Sequence, residues 1–95
     1  MKKDDNIMKM MKFSKVEDDS NTLKFANLML EGTPLCLDFN DCPKDQGDKV
    51  LYFLSGVNYS VDGYVKPLSK NIFIFALKEH YKDPELKAFI QKYGK

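Results

Sequence analysis

The chain has 95 residues, of which 43% are hydrophobic and 31% are charged, so it predicts one small folded domain and excludes a disordered segment. All fifteen basic residues are lysines, and fourteen acidic residues leave a net charge of +1. Nucleic-acid-binding domains usually carry a basic excess and arginine contacts, so the composition argues against a nucleic-acid partner. No apolar signal segment follows Lys3, and the longest apolar run, Ile72–Leu77, is too short to span a bilayer. We therefore expect a cytoplasmic protein.

The N-terminal third predicts a strand followed by a helix. Residues 1–9 are assigned to a flexible N-terminus. Apolar residues between Ile7 and Phe13 indicate a short first strand, with an interfacial helix as the alternative. Capping residues at 18–20, apolar residues at helical spacing up to Leu30 and a stop at Gly32 predict the first helix.

The middle of the chain predicts a second strand and a second helix. Apolar and polar residues alternate over 35–39, which is typical of a strand. Pro43 opens a helix whose apolar face continues to Val61. Gly47 and Gly56 lie inside this helix, where a glycine costs about 1 kcal/mol relative to alanine. We therefore expect another backbone to approach these glycines closely.

The C-terminal half predicts a hairpin and a last helix that begins at Pro84. Pro67 indicates that the third strand, over 64–68, lies at a sheet edge or carries a bulge. The fourth strand, over 72–76, is apolar on both faces and needs cover on both. Right-handed crossovers place the first two helices on one face, so the last helix, a second chain or both must cover the other.

The predicted fold class is therefore a two-layer α/β sandwich. Two helices pack on one face of a mixed sheet of four to five strands, and a short helix follows at the C-terminus.

The residues that could carry catalysis or bind a metal predict no enzyme. His80 is the only histidine, and we interpret it as a solvated loop residue because a general base needs a pocket and an orienting partner. Cys36, Cys42 and His80 are too few and unsuitably spaced for a zinc site. The aspartates over 38–48 do not match a calcium-binding loop. We expect no cofactor and no metal.

Two segments resemble the core domain of the bacterial cell-division family SepF. They are YFLSGVNYSVDG at 52–63 and KNIFIFA at 70–76, and the upstream segments FSKVEDD at 13–19 and PLCLDF at 34–39 follow the family order. The resemblance extends over roughly residues 10–76. It implies a core domain at 10–77 and a C-terminal helical extension at 78–95.

The resemblance implies a non-enzymatic adaptor that dimerises or polymerises at the division septum and binds the C-terminal tail of the tubulin-like protein FtsZ. By position it implies tail contacts at Lys49 and Phe53. Gly56 and Gly63 match small positions of the family, where close subunit packing is expected. Phe73 and Phe75 share one face of an apolar strand, which we assign to the core or to the same oligomer interface.

Two departures from the family keep alternatives open. Only about ten residues precede the core, and Asp4 and Asp5 interrupt any basic face, so membrane contact would depend on a reduced anchor at Ile7 to Phe13. The extra C-terminal helix leaves a second hypothesis, a stand-alone regulatory or protein-interaction domain with no division role.

Overall fold

The computed structural model describes residues 6–94, which form four strands, four α-helices and one 3-10 segment. In chain order these are α1 (Ile7–Met10), β1 (Lys12–Lys15), α2 (Thr22–Leu30), β2 (Leu35–Asp38), α3 (Lys44–Ser60), β3 (Gly63–Ser69), β4 (Ile72–Leu77), the 3-10 segment (Lys78–Lys82) and α4 (Pro84–Tyr93). The strand order in the sheet is β1-β2-β4-β3; β1 runs parallel to β2, and β4 runs antiparallel to β2 and β3. The predicted α/β class with a mixed sheet is confirmed.

Helices α2 and α3 cover the same face of the sheet, as the crossover argument predicts. The core between these layers is built from buried apolar side chains of α2, α3, β2 and β4, among them Phe25, Met29, Leu35, Leu37, Val50, Leu54 and Phe75. Leu54 and Phe75 have no exposed surface. Burying one such side chain contributes about 1.5–3 kcal/mol, so this layer supplies a large part of the folding free energy.

Helix α4 covers the opposite face of the sheet. Its Leu86 is fully buried and packs in a second apolar cluster with Cys36, Leu68, Ile74 and Ala76. Side chains of a strand alternate between faces, so Ile74 and Ala76 of β4 point toward α4 whereas Phe75 points toward α2 and α3. The chain's own C-terminal helix therefore provides the cover that the second face of β4 needs.

The strand predicted over 7–13 is wrong at its N-terminal end. Residues 7–10 form a helical turn, which begins because the Asn6 side-chain oxygen accepts a hydrogen bond from the Met8 N–H at 2.8 Å. Ile7 and Met8 pack against the cluster under α4, and β1 begins only at Lys12. The predicted flexible N-terminus includes residues 1–5, which lie outside the described residues.

Strand β3 lies at an edge of the sheet and also carries an irregularity. Its pairing with β4 shifts register between Pro67 and Ser69. Proline lacks the N–H that a central strand would need, so an edge position accommodates it. Both alternatives predicted from Pro67, an edge position and a bulge, are therefore present in β3.

His80 holds the junction between β4 and the 3-10 segment. Its Nδ1 accepts a hydrogen bond from the Leu77 N–H at 3.1 Å, and the ring is half-buried. The interpretation as a solvated loop residue is therefore wrong. Burial lowers the pKa of His80 below its ordinary value of 6.5, and this effect exceeds the opposing influence of Glu79 and Asp83.

We predict that stability falls as His80 becomes protonated. The ring must be neutral at Nδ1 to accept the Leu77 N–H, so its contribution is complete above pH 6.5 and is lost as the pH falls from there through the lower folded-state pKa. Urea unfolding at about pH 7.5 and about pH 5.5 measures this loss. The variant His80→Gln should lose less stability over the same interval. An equal loss in both proteins would show that other groups cause the pH dependence.

Candidate protein-interaction site

The outer surface of α3 exposes an unusual number of aromatic side chains. Tyr52 is 73% exposed, Phe53 49% and Tyr59 78%. The inner face of the helix is occupied by Val50 and Leu54, which point into the core, so these rings stand outward because of their positions in the helical repeat. Clustered exposed apolar groups on a small domain mark an interaction surface.

A groove runs between α2 and α3 and contains both residues that the family resemblance implies for tail binding. Lys49 and Phe53 lie one helical turn apart on one wall, and Leu23 of α2, which is 71% exposed, contributes the other. The buried Val50 lies between them, Asp19 is at the rim, and the cavity volume is about 320 Å³. The groove could hold one apolar side chain of a peptide, with the Lys49 ammonium available to a carboxylate.

Gly56 occupies an open position on the outer surface of α3. Apart from its chain neighbours and its own helix backbone, a Cβ added there would meet no atom of residues 6–94 within 4 Å. Tyr52 precedes it by four residues and Tyr59 follows by three, so the glycine forms a gap between two exposed rings on one helix face. Nothing within the described part of the chain approaches Gly56 closely.

The other two glycines of this region contact their own chain. A Cβ on Gly47 would lie 3.5 Å from the Cys42 Sγ atom and 3.6 Å from Phe39. A Cβ on Gly63 would lie 2.5 Å from the side chain of Asn58. Asn58 is 2% exposed, and its Nδ2 donates to the Ala76 carbonyl oxygen at 3.4 Å, so it has little freedom to move. Gly63 therefore serves close packing inside the chain.

Phe73 and Phe75 both face α2 and α3, but they differ in exposure. Phe75 is fully buried in the core. Phe73 is half-buried at the end of the sheet, where its ring meets Phe39 edge-on at a centroid distance of 5.8 Å. In the folded chain Phe75 has no surface to offer a second subunit, and the structure does not bring it together with Gly56.

The cysteines show no feature of an activated nucleophile. Burial raises the pKa of the Cys36 thiol to about 11, and Asp38 adds to the shift. Burial is also the largest cause that raises the pKa of Cys42. Within residues 6–94 no three His, Cys, Asp or Glu side chains are placed to hold a metal ion. No helix of that range is long and apolar enough to cross a membrane.

Comparison with known proteins identifies the family. Residues 9–79 match the family model described as cell division protein SepF, which is most of the chain. The chain belongs to the SepF family. The match ends before α4, so the helix that covers the second face of the sheet lies outside the matched residues.

One relative belongs to the same family, and one solved structure has the same fold. The chain is 32% identical over 60 residues to the cell division protein SepF of Syntrophomonas wolfei; the aligned region is 63% of this chain and 42% of that protein, so the chain spans less than half of the relative's length. A SepF-like protein from Archaeoglobus fulgidus has the same fold, with a TM-score of 0.65 at 17% identity over 70% of this chain and 83% of that one.

Sequence reasoning placed Lys49 and Phe53 on α3 but missed their neighbour Leu23. Leu23 is one of the apolar residues at helical spacing that predict α2, and the structure leaves it largely exposed. Leu30, two turns after Leu23 on the same side of α2, is also 58% exposed, so apolar residues extend beyond the buried face of this helix. Periodicity alone does not tell which of them stay exposed.

We predict that Gly63→Ala destabilises the protein by about 1–3 kcal/mol, because the new methyl group overlaps Asn58 in the core. Urea unfolding of the single variants and of the double variant Asn58→Ala with Gly63→Ala tests the cause. In the Asn58→Ala background the overlap is absent, so adding Gly63→Ala should cost well under about 1 kcal/mol. Strictly additive losses would mean that the glycine is needed for another reason.

Proposed function

We propose that this chain is a non-enzymatic adaptor of cell division that dimerises and binds the C-terminal tail of FtsZ at the septum, on the cytoplasmic side. Membership of the SepF family supports the division role. The observation that carries the tail site is the groove in which Lys49, Phe53 and the exposed Leu23 come together. Lys49 and Phe53 are implied by their position in the family pattern alone. Leu23, which belongs to another helix, lies beside them and gives the groove an apolar wall, which supports a binding role for both residues.

The α2–α3 groove has the chemistry that a short peptide tail requires. Leu23 and Phe53 already expose apolar surface to water, so an apolar side chain placed between them gains burial without any rearrangement of the core. The Lys49 ammonium can pair with a carboxylate of the tail or with its C-terminus. Such a small contact favours a weak, reversible complex, which suits an adaptor on a dynamic polymer.

We predict that Phe53→Ala and Lys49→Glu each weaken binding of a fluorescein-labelled FtsZ tail peptide, by about tenfold for Phe53→Ala because it removes one wall of the groove. Fluorescence anisotropy gives the dissociation constants. Matched controls are Phe13→Ala, which removes a 56% exposed ring of β1, and Lys24→Glu, which reverses an exposed charge of α2 outside the groove. Equal losses in the controls, or unchanged binding by Phe53→Ala, would contradict the tail site.

The subunit interface that we propose lies on the outer face of α3. Two copies of α3 can cross at Gly56 because the missing side chain allows the backbones to approach, while Tyr52 and Tyr59 pack on either side of the crossing. A two-fold axis through this point would make the contact self-complementary, the commonest arrangement in homodimers. The tyrosine rings would supply most of the buried apolar area.

We predict that Gly56→Lys yields a folded monomer. Apart from its own helix backbone, no atom of the described chain lies within 4 Å of the added Cβ, so the lysine fits the isolated subunit but fills the crossing point in a dimer. Sedimentation equilibrium should give half the mass found for the parent protein, and circular dichroism should be unchanged. The control Lys24→Glu should keep the parent mass. A parent protein that is already monomeric, or a Gly56→Lys protein of unchanged mass, would contradict this interface.

A further inference from the structure

A second groove lies on the opposite face of the sheet, where β3, the 3-10 segment and α4 meet. Its cavity volume is about 460 Å³. Seven side chains line it, two from β3, two from the 3-10 segment and three from α4: Tyr64, Lys66, Lys78, Tyr81, Lys87, Ile90 and Gln91. We call it the β3–α4 groove. It shares no lining residue with the α2–α3 groove.

The floor of the β3–α4 groove is held in place by Tyr81. Its hydroxyl lies 2.6 Å from the carbonyl oxygen of Tyr64 and 3.1 Å from that of Ile74, within hydrogen-bond distance of both. Its ring meets the Tyr64 ring edge-on, with centroids 5.6 Å apart. Tyr64 remains 52% exposed, so an apolar platform stays open to a ligand beside the fixed Tyr81.

The charged side chains that line the β3–α4 groove are all positive. Lys66, Lys78 and Lys87 come from three different elements, and none of the described residues that line the groove is acidic. Three other grooves of the described chain each combine lysine with aspartate. The nearby Asp62 pairs with Lys78 at 3.3 Å, but both side chains are largely exposed and the pair is weak. The chain as a whole has a net charge of only +1, so this concentration of positive charge is local.

The backbone of β3 adds a second feature suited to a peptide. β3 pairs with β4 on one side only, and its other side is the edge of the sheet. An edge strand offers N–H and C=O groups to an added strand. Pro67 lacks an N–H, and the Tyr64 carbonyl oxygen already lies within hydrogen-bond distance of the Tyr81 hydroxyl, so an added strand would use the remaining edge groups over residues 63–66.

We propose that the β3–α4 groove binds an acidic, extended peptide segment of a partner protein. Its carboxylates would pair with the three lysines, and an apolar side chain between them would rest on Tyr64 and Ile90. The edge strand favours a peptide over an anionic membrane, because only a peptide can pair with the strand backbone. The absence of arginine and the low net charge disfavour nucleic acid. The proposal is independent of the FtsZ site, which lies on the other face of the sheet.

The test uses the full chain and a fluorescein-labelled peptide in which one leucine stands between two pairs of glutamates. Fluorescence anisotropy should show saturable binding that weakens several-fold between about 50 mM and about 300 mM salt, because exposed charges are screened. Lys87→Glu should weaken binding by about tenfold or more, and the milder Lys66→Gln by a smaller factor. Lys24→Glu carries the same charge change on α2 and should alter binding by less than about twofold. A peptide with glutamines in place of the glutamates should not bind.

Four outcomes would overturn the proposal. One is no saturable binding up to roughly 1 mM peptide at low salt. The second is an equal loss in Lys87→Glu and Lys24→Glu, which would indicate attraction by the overall charge. The third is binding to vesicles of phosphatidylserine and phosphatidylcholine that Lys87→Glu abolishes while the peptide does not bind. The fourth is a fall in the mass of the chain alone on Lys87→Glu, which would assign the groove to a second copy. Circular dichroism of each variant verifies that it is folded.

Discussion

The structure depends on one strand that must be covered on both sides. β4 pairs with β2 on one edge and β3 on the other, and its side chains are apolar above and below the sheet. Phe75 is buried under α2 and α3, whereas Ile74 and Ala76 are buried under α4. Exposing either set to water would cost several kcal/mol, a large part of the stability of a domain this small. The rest of the architecture follows from meeting this requirement within one short chain.

Covering both faces of the sheet from within the chain determines which surfaces remain for partners. Because α4 covers Ile74 and Ala76 on the second face and α2 and α3 cover Phe75 on the first, these side chains are not available to a second subunit in the folded chain. The exposed apolar groups that remain on the first layer lie mostly on the outer side of α3 and in its groove with α2, with Leu30 of α2 in addition. This is why the interface and the tail site proposed here both lie on α3, where Gly56 and Phe53 are three residues apart. The two contacts are close enough that dimerisation could complete the groove.

Much of the fold could be predicted because the relevant patterns are local. The last helix is marked by Asp83 and Pro84, and the Asp83 side chain does accept the N–H groups of Glu85 and Leu86. The error at Ile7 and Met8 arose because these residues pack under α4, nearly eighty residues later, which a local pattern does not reveal. The error at His80 is local: its ring accepts the backbone N–H of Leu77, three residues earlier, and periodicity does not mark such a bond. The glycines also differ: a Cβ on Gly63 would overlap the Asn58 side chain, whereas a Cβ on Gly56 would contact nothing in the described chain beyond its own helix backbone. Periodicity treats these glycines alike, and only the tertiary structure separates them.

Helix α4 links the stability of the fold to the second proposed binding site. It buries Leu86 on the sheet with one side and presents Lys87, Ile90 and Gln91 to the β3–α4 groove with another. The match to the family model ends before this helix, so the groove depends on a part of the chain outside the matched residues. A partner held there would approach from the face opposite to the α2–α3 groove, so neither ligand would block the other sterically. An adaptor with one site on each face could join two partners at once, and the rigid sheet between the sites would fix their separation. On this view the extension does more than protect β4 from water, because it also forms one wall of a site that the remaining elements alone would leave open.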